Sequence, residues 1–308
     1  MLLDTLLTLC GLTLLFTPTS PSWSTSLNLL FFYITWSTLL LAHPPLRVEL
    51  LGTLISRFIF FWLPALFFYL LDTALPSITS EWKTHTGTNA QFDRRAGKVV
   101  AVAMGNMLLG VGAQGVVEWT LVEVAGWNSA VRVSSSMPLP GGVVWDLVRG
   151  LVLKEVLQYY LHRYYLHSAT SLHTRWQHAP PTPPPLWPAL AHYDHPLPYL
   201  IHRFIPVYAP AAFLHFHALT YFAFISIVSL EEAFTHSGYG KPFFSGLVGC
   251  AGKRTAVHYS SKGMGNYSTW GVLDWVHGTL VGGKVGNRGG KKARGVVKER
   301  GLDREDGR

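Results

Sequence analysis

Six histidines fall between residues 162 and 195, in a stretch that opens as an apolar helix, EVLQYYLHRYYLHSATSLHTRWQH, and runs on to ALAHYDHP. They are His162, His167, His173, His178, His192 and His195. Two more follow in separate polar segments, His236 in EEAFTHSGY and His258 in AVHYSSKGMGNYSTWG. Neutral imidazole is the commonest protein ligand for iron, zinc and copper. A lone histidine is more often a hydrogen-bonded core or interface residue, but eight at this density predict a metal centre with these eight as its candidate ligands. No catalytic group beyond the ligands is predicted. His43, His85, His202, His215, His217 and His277 carry no supporting motif.

Helical geometry constrains how such a centre could be built. His162 and His167 are five residues apart, which on an ideal α-helix sets them about 140° apart around the axis, on different faces. His162 and His173, like His167 and His178, are eleven apart and return to within about 20° of one face, but roughly 16 Å further along it. A continuous helix would therefore separate two levels of imidazoles, and a break near Ser168–Ser171 would let them converge. Glu155, Glu231, Glu232, Asp194 and Asp274 are the nearest carboxylates. Carboxylates commonly orient metal-bound imidazoles, and Asp194, beside His195, is the leading candidate for that role.

The elements that hold these residues are membrane-grade. Hydrophobic residues make up 49% of the 308 and charged residues only 14%, against about 25% charged in a soluble domain. Leu27–Ala42 and Leu50–Leu71 have the length and apolarity of spans, and Arg57 in the second must snorkel, pair or face the bundle interior. A glycine-rich segment from Val99 to about Val124 is weaker because of Glu118 and Glu123. Val143–Leu161 leads into the histidines, and Phe204–Leu230 reads as one long span or a hairpin. Leu2–Phe16 has the length of a signal-peptide core but carries Asp4 in place of a basic start, and a retained membrane segment is expected there. The predicted fold is all-α, a polytopic helical membrane protein with a histidine-lined cytosolic cap. Its expected parts are N-terminal spans over 1–72, a polar loop and further membrane segment over 73–148, the histidine-bearing domain over 149–280, and a disordered basic tail over 281–308.

Charge and cysteine content narrow the partners. Lys284 to Arg308 carries nine Lys/Arg against four Asp/Glu and so supplies most of the net charge of +8. Such a tail fits the positive-inside rule and contact with anionic lipid, and no nucleic-acid partner is predicted. Cys10 and Cys250 form neither a disulfide framework nor a CxxC motif.

Taken in order, HRYYLH, HTRWQH, AHYDHP, EEAFTHSGY and HYSSKGMGNYSTWGVLDWVHGT resemble the fatty acid hydroxylase/sterol desaturase superfamily over about Leu151 to Thr279. The resemblance implies an integral membrane, non-haem di-iron oxygenase of the endoplasmic reticulum, holding two irons and hydroxylating or desaturating a sterol or fatty acyl chain with dioxygen. It also implies electrons from NAD(P)H through cytochrome b5 and its reductase, since the chain has no haem or dinucleotide motif of its own. His162 and His167 match the first histidine box. His195 before Pro196, His236 in HSGY, and Asn266, Tyr267, Asp274, Gly278 and Thr279 match later positions. The second box, HxxHH in the family, here reads QHAPP around His178, and of the late HxxHH box only His258 remains, followed by Tyr259 and Ser260. These departures leave two rivals: a catalytically silent lipid-binding or scaffolding relative, and a zinc-dependent membrane hydrolase, since zinc needs only three protein ligands and a water.

Overall fold

A computed structural model describes residues 23–83, 94–167, 186–239, 247–261 and 263–282. Leu2–Phe16, the basic tail from Lys284, His173 and His178 lie outside the described residues. Among these residues the fold is helical, with no β-strand and two isolated bridges, Lys83 to Tyr239 and Arg132 to His217.

In chain order the helices are α1 (Trp23–Ala42), α2 (Pro45–Ala74), α3 (Pro76–Trp82), α4 (Arg94–Trp119), α5 (Pro140–Tyr160), α6 (Pro196–Tyr199), α7 (Ile205–Phe213), α8 (Ala218–His236), α9 (Leu247–Ser260) and α10 (Val272–Val276). Among the described residues, three stretches are long and apolar enough to cross a bilayer: Pro45–Ala74, Ala96–Val124 and Ala218–His236. Their outward faces carry large apolar side chains such as Phe58, Leu66, Phe67 and Leu108, each about half exposed. Arg47, Lys98 and Glu123, near the helix ends, are exposed, but five other ionisable residues point the other way. Glu49, Arg57, Asp72, Glu118 and Glu232 are all buried within the bundle. A charge facing hydrocarbon at mid-bilayer costs about 2.5–3.5 kcal/mol on insertion scales, so only the inward orientation suits these helices.

Arg57 does pair inside the bundle, with Glu232 at 2.5 Å and with Ser229 at 3.1 Å, and so ties α2 to α8. Close approach of these helices depends on Gly52, where an added Cβ would come within 2.2 Å of the Phe222 ring. Glu118, the residue that weakens Val99–Val124 as a span, accepts from Tyr208, Ser129 and the Ala130 and Val131 amides, fastening α4 to α7 and to the loop before α5.

Phe204–Leu230 is two helices. α7 ends at Phe213, His215 turns the chain at φ 48°, and α8 begins at Ala218. α5 starts at Pro140 and carries Asp146, Arg149, Lys154 and Glu155, so it is not among the three long apolar helices.

Among the described residues, four π turns interrupt or extend the helices, at Phe58–Trp62, Thr120–Val124, Leu161–Leu166 and Leu200–Phe204. The first and last are each followed, two residues on, by a proline, Pro64 and Pro206. A proline ring clashes with the carbonyl four residues back, and the wider π turn relieves that clash. The other consequence of these turns is where they aim histidines.

Candidate metal centre

His162, His167 and His258 each bring one ring nitrogen to within 4.8 Å of the others. Their ring centres are 5.0 Å apart for His162 and His167, 4.6 Å for His162 and His258, and 5.1 Å for His167 and His258. The five-residue separation of the first pair does not divide them between two faces. The His167 amide donates to the His162 carbonyl at 3.3 Å, closing a π turn. That turn carries the fifth residue back over the first. The α-helical angle expected from the sequence is therefore replaced by alignment.

The third imidazole arrives from α9, and the loop that follows it holds the cluster in place. His258 Nδ1 lies 2.7 Å from the Gly265 carbonyl and His162 Nδ1 lies 2.7 Å from the Tyr267 carbonyl. A carbonyl only accepts, so both Nδ1 atoms carry the proton and both Nε2 atoms present a lone pair. This is the arrangement that orients imidazole for a metal and raises its basicity. Metal–nitrogen bonds of about 2.0–2.1 Å put neighbouring ligand nitrogens roughly 3–4 Å apart. A closure of an ångström or so would bring the three nitrogens onto one ion, so the residues fit a metal.

The loop itself is pinned by Asp274, which is fully buried. Its Oδ1 accepts from the Tyr267 amide at 2.8 Å and from Thr279 Oγ1 at 2.7 Å. Its Oδ2 accepts from the amide and the hydroxyl of Ser268 at 2.8 and 2.7 Å. Asn266, at φ 55°, exchanges side-chain hydrogen bonds with the backbone of Val281. Gly263, at φ +78°, leaves space for His167, whose Cε1 would lie 2.2 Å from an added Cβ.

Among the described residues, the remaining candidates fall outside this group of three. His192 is fully buried, with Nδ1 3.3 Å from the Tyr199 hydroxyl and Nε2 3.3 Å from Glu232. Burial lowers its pKa below the usual imidazole range despite the opposing pull of Glu232. His236 has Nδ1 3.0 Å from the Glu232 carbonyl and Nε2 3.1 Å from Arg203. A guanidinium only donates, so both of its ring nitrogens are committed to hydrogen bonds. Half-buried His195 caps α6, accepting from the Leu197 amide at 3.4 Å. Asp194 accepts from the His195 amide at 2.8 Å.

Sequence reasoning passed over His202. It is buried and its ring centre lies 4.4 Å from that of His162. The signal for it was weak: an His-Arg pair four residues before a proline, repeating the His162–Arg163 pair.

No solved structure matches the chain. Residues 147–279 match the family model for fatty acid hydroxylase. That segment contains His162, His167 and His258, the loop that orients them and Asp274. Over that segment the chain is similar to the fatty acid hydroxylase family.

Proposed function

We propose that this protein is a membrane-bound, iron-dependent oxidoreductase that hydroxylates or desaturates a lipid with dioxygen. The observation that carries the reading is the convergence of His162, His167 and His258, two of them fixed as the Nε2-presenting tautomer by carbonyls of a single loop. Its setting beside helices long and apolar enough to cross a bilayer supports a lipid substrate.

His162, His167 and His258 would hold the metal. When bound, it supplies activation of dioxygen for oxidation of an unactivated C–H bond. The chain's own residues supply position and exclusion of water. Asp274 fixes the loop, the loop carbonyls hold the Nδ1 protons, and the buried Tyr159 and Leu166 side chains wall the neighbourhood. His173, His178, His192 and His195 are the remaining candidate ligands for the two irons that the family resemblance implies, and His236 would join them on releasing Arg203. Cytochrome b5 with its reductase as electron donor, residence in the endoplasmic reticulum and a cytosolic face for the histidines belong to the same proposal.

Elemental analysis of detergent-purified protein, beside a His162→Ala/His167→Ala double variant, tests it. Iron present in the wild type and lost from the variant, with dioxygen-dependent oxidation of added lipid, is the expected result. Zinc alone would favour hydrolysis, and absence of any metal after iron-replete growth would leave the silent-relative reading.

A further inference from the structure

We propose that His202 is a fourth imidazole ligand of the centre formed by His162, His167 and His258. The inference rests on the metal-site reading above and extends it to a residue outside every histidine motif in the sequence.

With metal–nitrogen bonds of about 2.0–2.1 Å, two imidazoles side by side on one ion have ring centres roughly 4.5–5.5 Å apart. The three clustered histidines lie at 4.6–5.1 Å from one another; His202, outside the trio whose ring nitrogens all lie within 4.8 Å, stands 4.4 Å from His162 with its ring tilted 49°. Only 1% of its surface is exposed.

The way His202 is held argues for a set direction. It sits in the π turn Leu200–Phe204, which packs against the π turn Leu161–Leu166 that bears His162. Pro206 falls four residues after His202, where its ring would strike the His202 carbonyl in a regular helix. π turns inside helices occur frequently at functional sites.

The neighbours on the same turn are clamped from behind. Arg203 reaches His236 Nε2 at 3.1 Å and Glu232 at 3.7 Å, and Glu232 in turn holds Arg57 of α2. Tyr199, three residues before His202, is buried with its hydroxyl 3.3 Å from His192. Two long helices, α2 and α8, thus brace a short turn whose remaining polar side chain faces His162.

The proposal also accounts for the altered boxes. Of the late HxxHH box this chain keeps only His258, followed by Tyr259 and Ser260. An imidazole from α6–α7 would restore a four-nitrogen set from a different part of the fold.

The test replaces the native metal with cobalt(II) in purified, detergent-solubilised full-length protein and uses His202→Ala and His202→Cys. His202→Ala is expected to weaken cobalt binding at least tenfold and alter the visible d–d bands. His202→Cys is expected to retain cobalt and to show a thiolate-to-cobalt charge-transfer band absent from the wild type and from a His217→Cys control. That band reports contact between side chain 202 and the metal, which a purely structural role cannot produce. Wild-type affinity and bands in His202→Ala, or cobalt bound without the charge-transfer band in His202→Cys, would overturn the fourth ligand alone. A wild-type protein that binds no cobalt, with His162→Ala indistinguishable from it, would overturn the metal site and this inference together.

Discussion

The amide of His167 donates to the carbonyl of His162, five residues earlier, so the two imidazoles stand over the same side of a widened helical turn. Register within this turn therefore controls the site. Inserting one alanine between Arg163 and Tyr164 should swing His167 away by about 100°, as any added helical residue does. Deleting Tyr164 should convert the turn to a regular α-turn with histidines four apart, which still share a face. Metal content of the two purified variants checks this: loss is expected in the insertion, and at least partial retention in the deletion.

A second prediction concerns the glycine beneath His167. Gly263 and Gly278 both have positive φ, +78° and +67°, but only at Gly263 would a Cβ meet another side chain, the His167 ring at 2.2 Å. Alanine at either position should cost about 1–2 kcal/mol of backbone strain. Only Gly263→Ala should also displace the imidazole and reduce metal affinity. Equal metal binding by the two variants, measured beside their melting temperatures, would remove Gly263 from the site's support.

Much of this arrangement was legible in the sequence. His162, His167 and His258 stand in motifs, and Arg57, a charge in an apolar run, had to snorkel, pair or face the bundle interior; it pairs with Glu232. The alignment of His162 with His167 was not legible, because helical periodicity assumes 3.6 residues per turn and nothing between the two announces a π turn. His202 was obscured for a related reason, since its significance comes from a turn distorted by Pro206 and from a neighbour forty residues away in sequence. Asp194 is adjacent to a histidine but binds that residue's own backbone amide, whereas Asp274 acts at a distance, through the loop whose carbonyls hold the imidazoles.

Asp274 therefore carries the third prediction. Its two oxygens take four hydrogen bonds with no solvent contact. Removing the carboxylate leaves buried donors unsatisfied at about 1–3 kcal/mol each. Asp274→Ala should lower stability by about 3 kcal/mol or more, accelerate amide exchange across residues 265–279 and lose metal. Asp274→Asn, which keeps one acceptor oxygen, should fall between. Unchanged exchange over that loop in Asp274→Ala would show that Asp274 does not hold it.

The last prediction tests the brace behind the site. Glu232 meets Arg57 at 2.5 Å, His192 at 3.3 Å and Arg203 at 3.7 Å, all buried. Breaking a buried ion pair from one side costs about 3–5 kcal/mol, because the surviving charge is left without compensation. Glu232→Ala strands two guanidinium groups and should be the more damaging single change. Arg57→Ala leaves Glu232 still facing Arg203 and should cost less. Their double variant should be more stable than the sum of the two losses implies, by at least about 1 kcal/mol, as residues in one network generally are. Unfolding curves in detergent for the four proteins of this cycle give the coupling directly. Strict additivity would mean that α2 and α8 are joined by their packing, with Gly52 against Phe222, and that the ion pair contributes nothing of its own to holding the turn that carries His202.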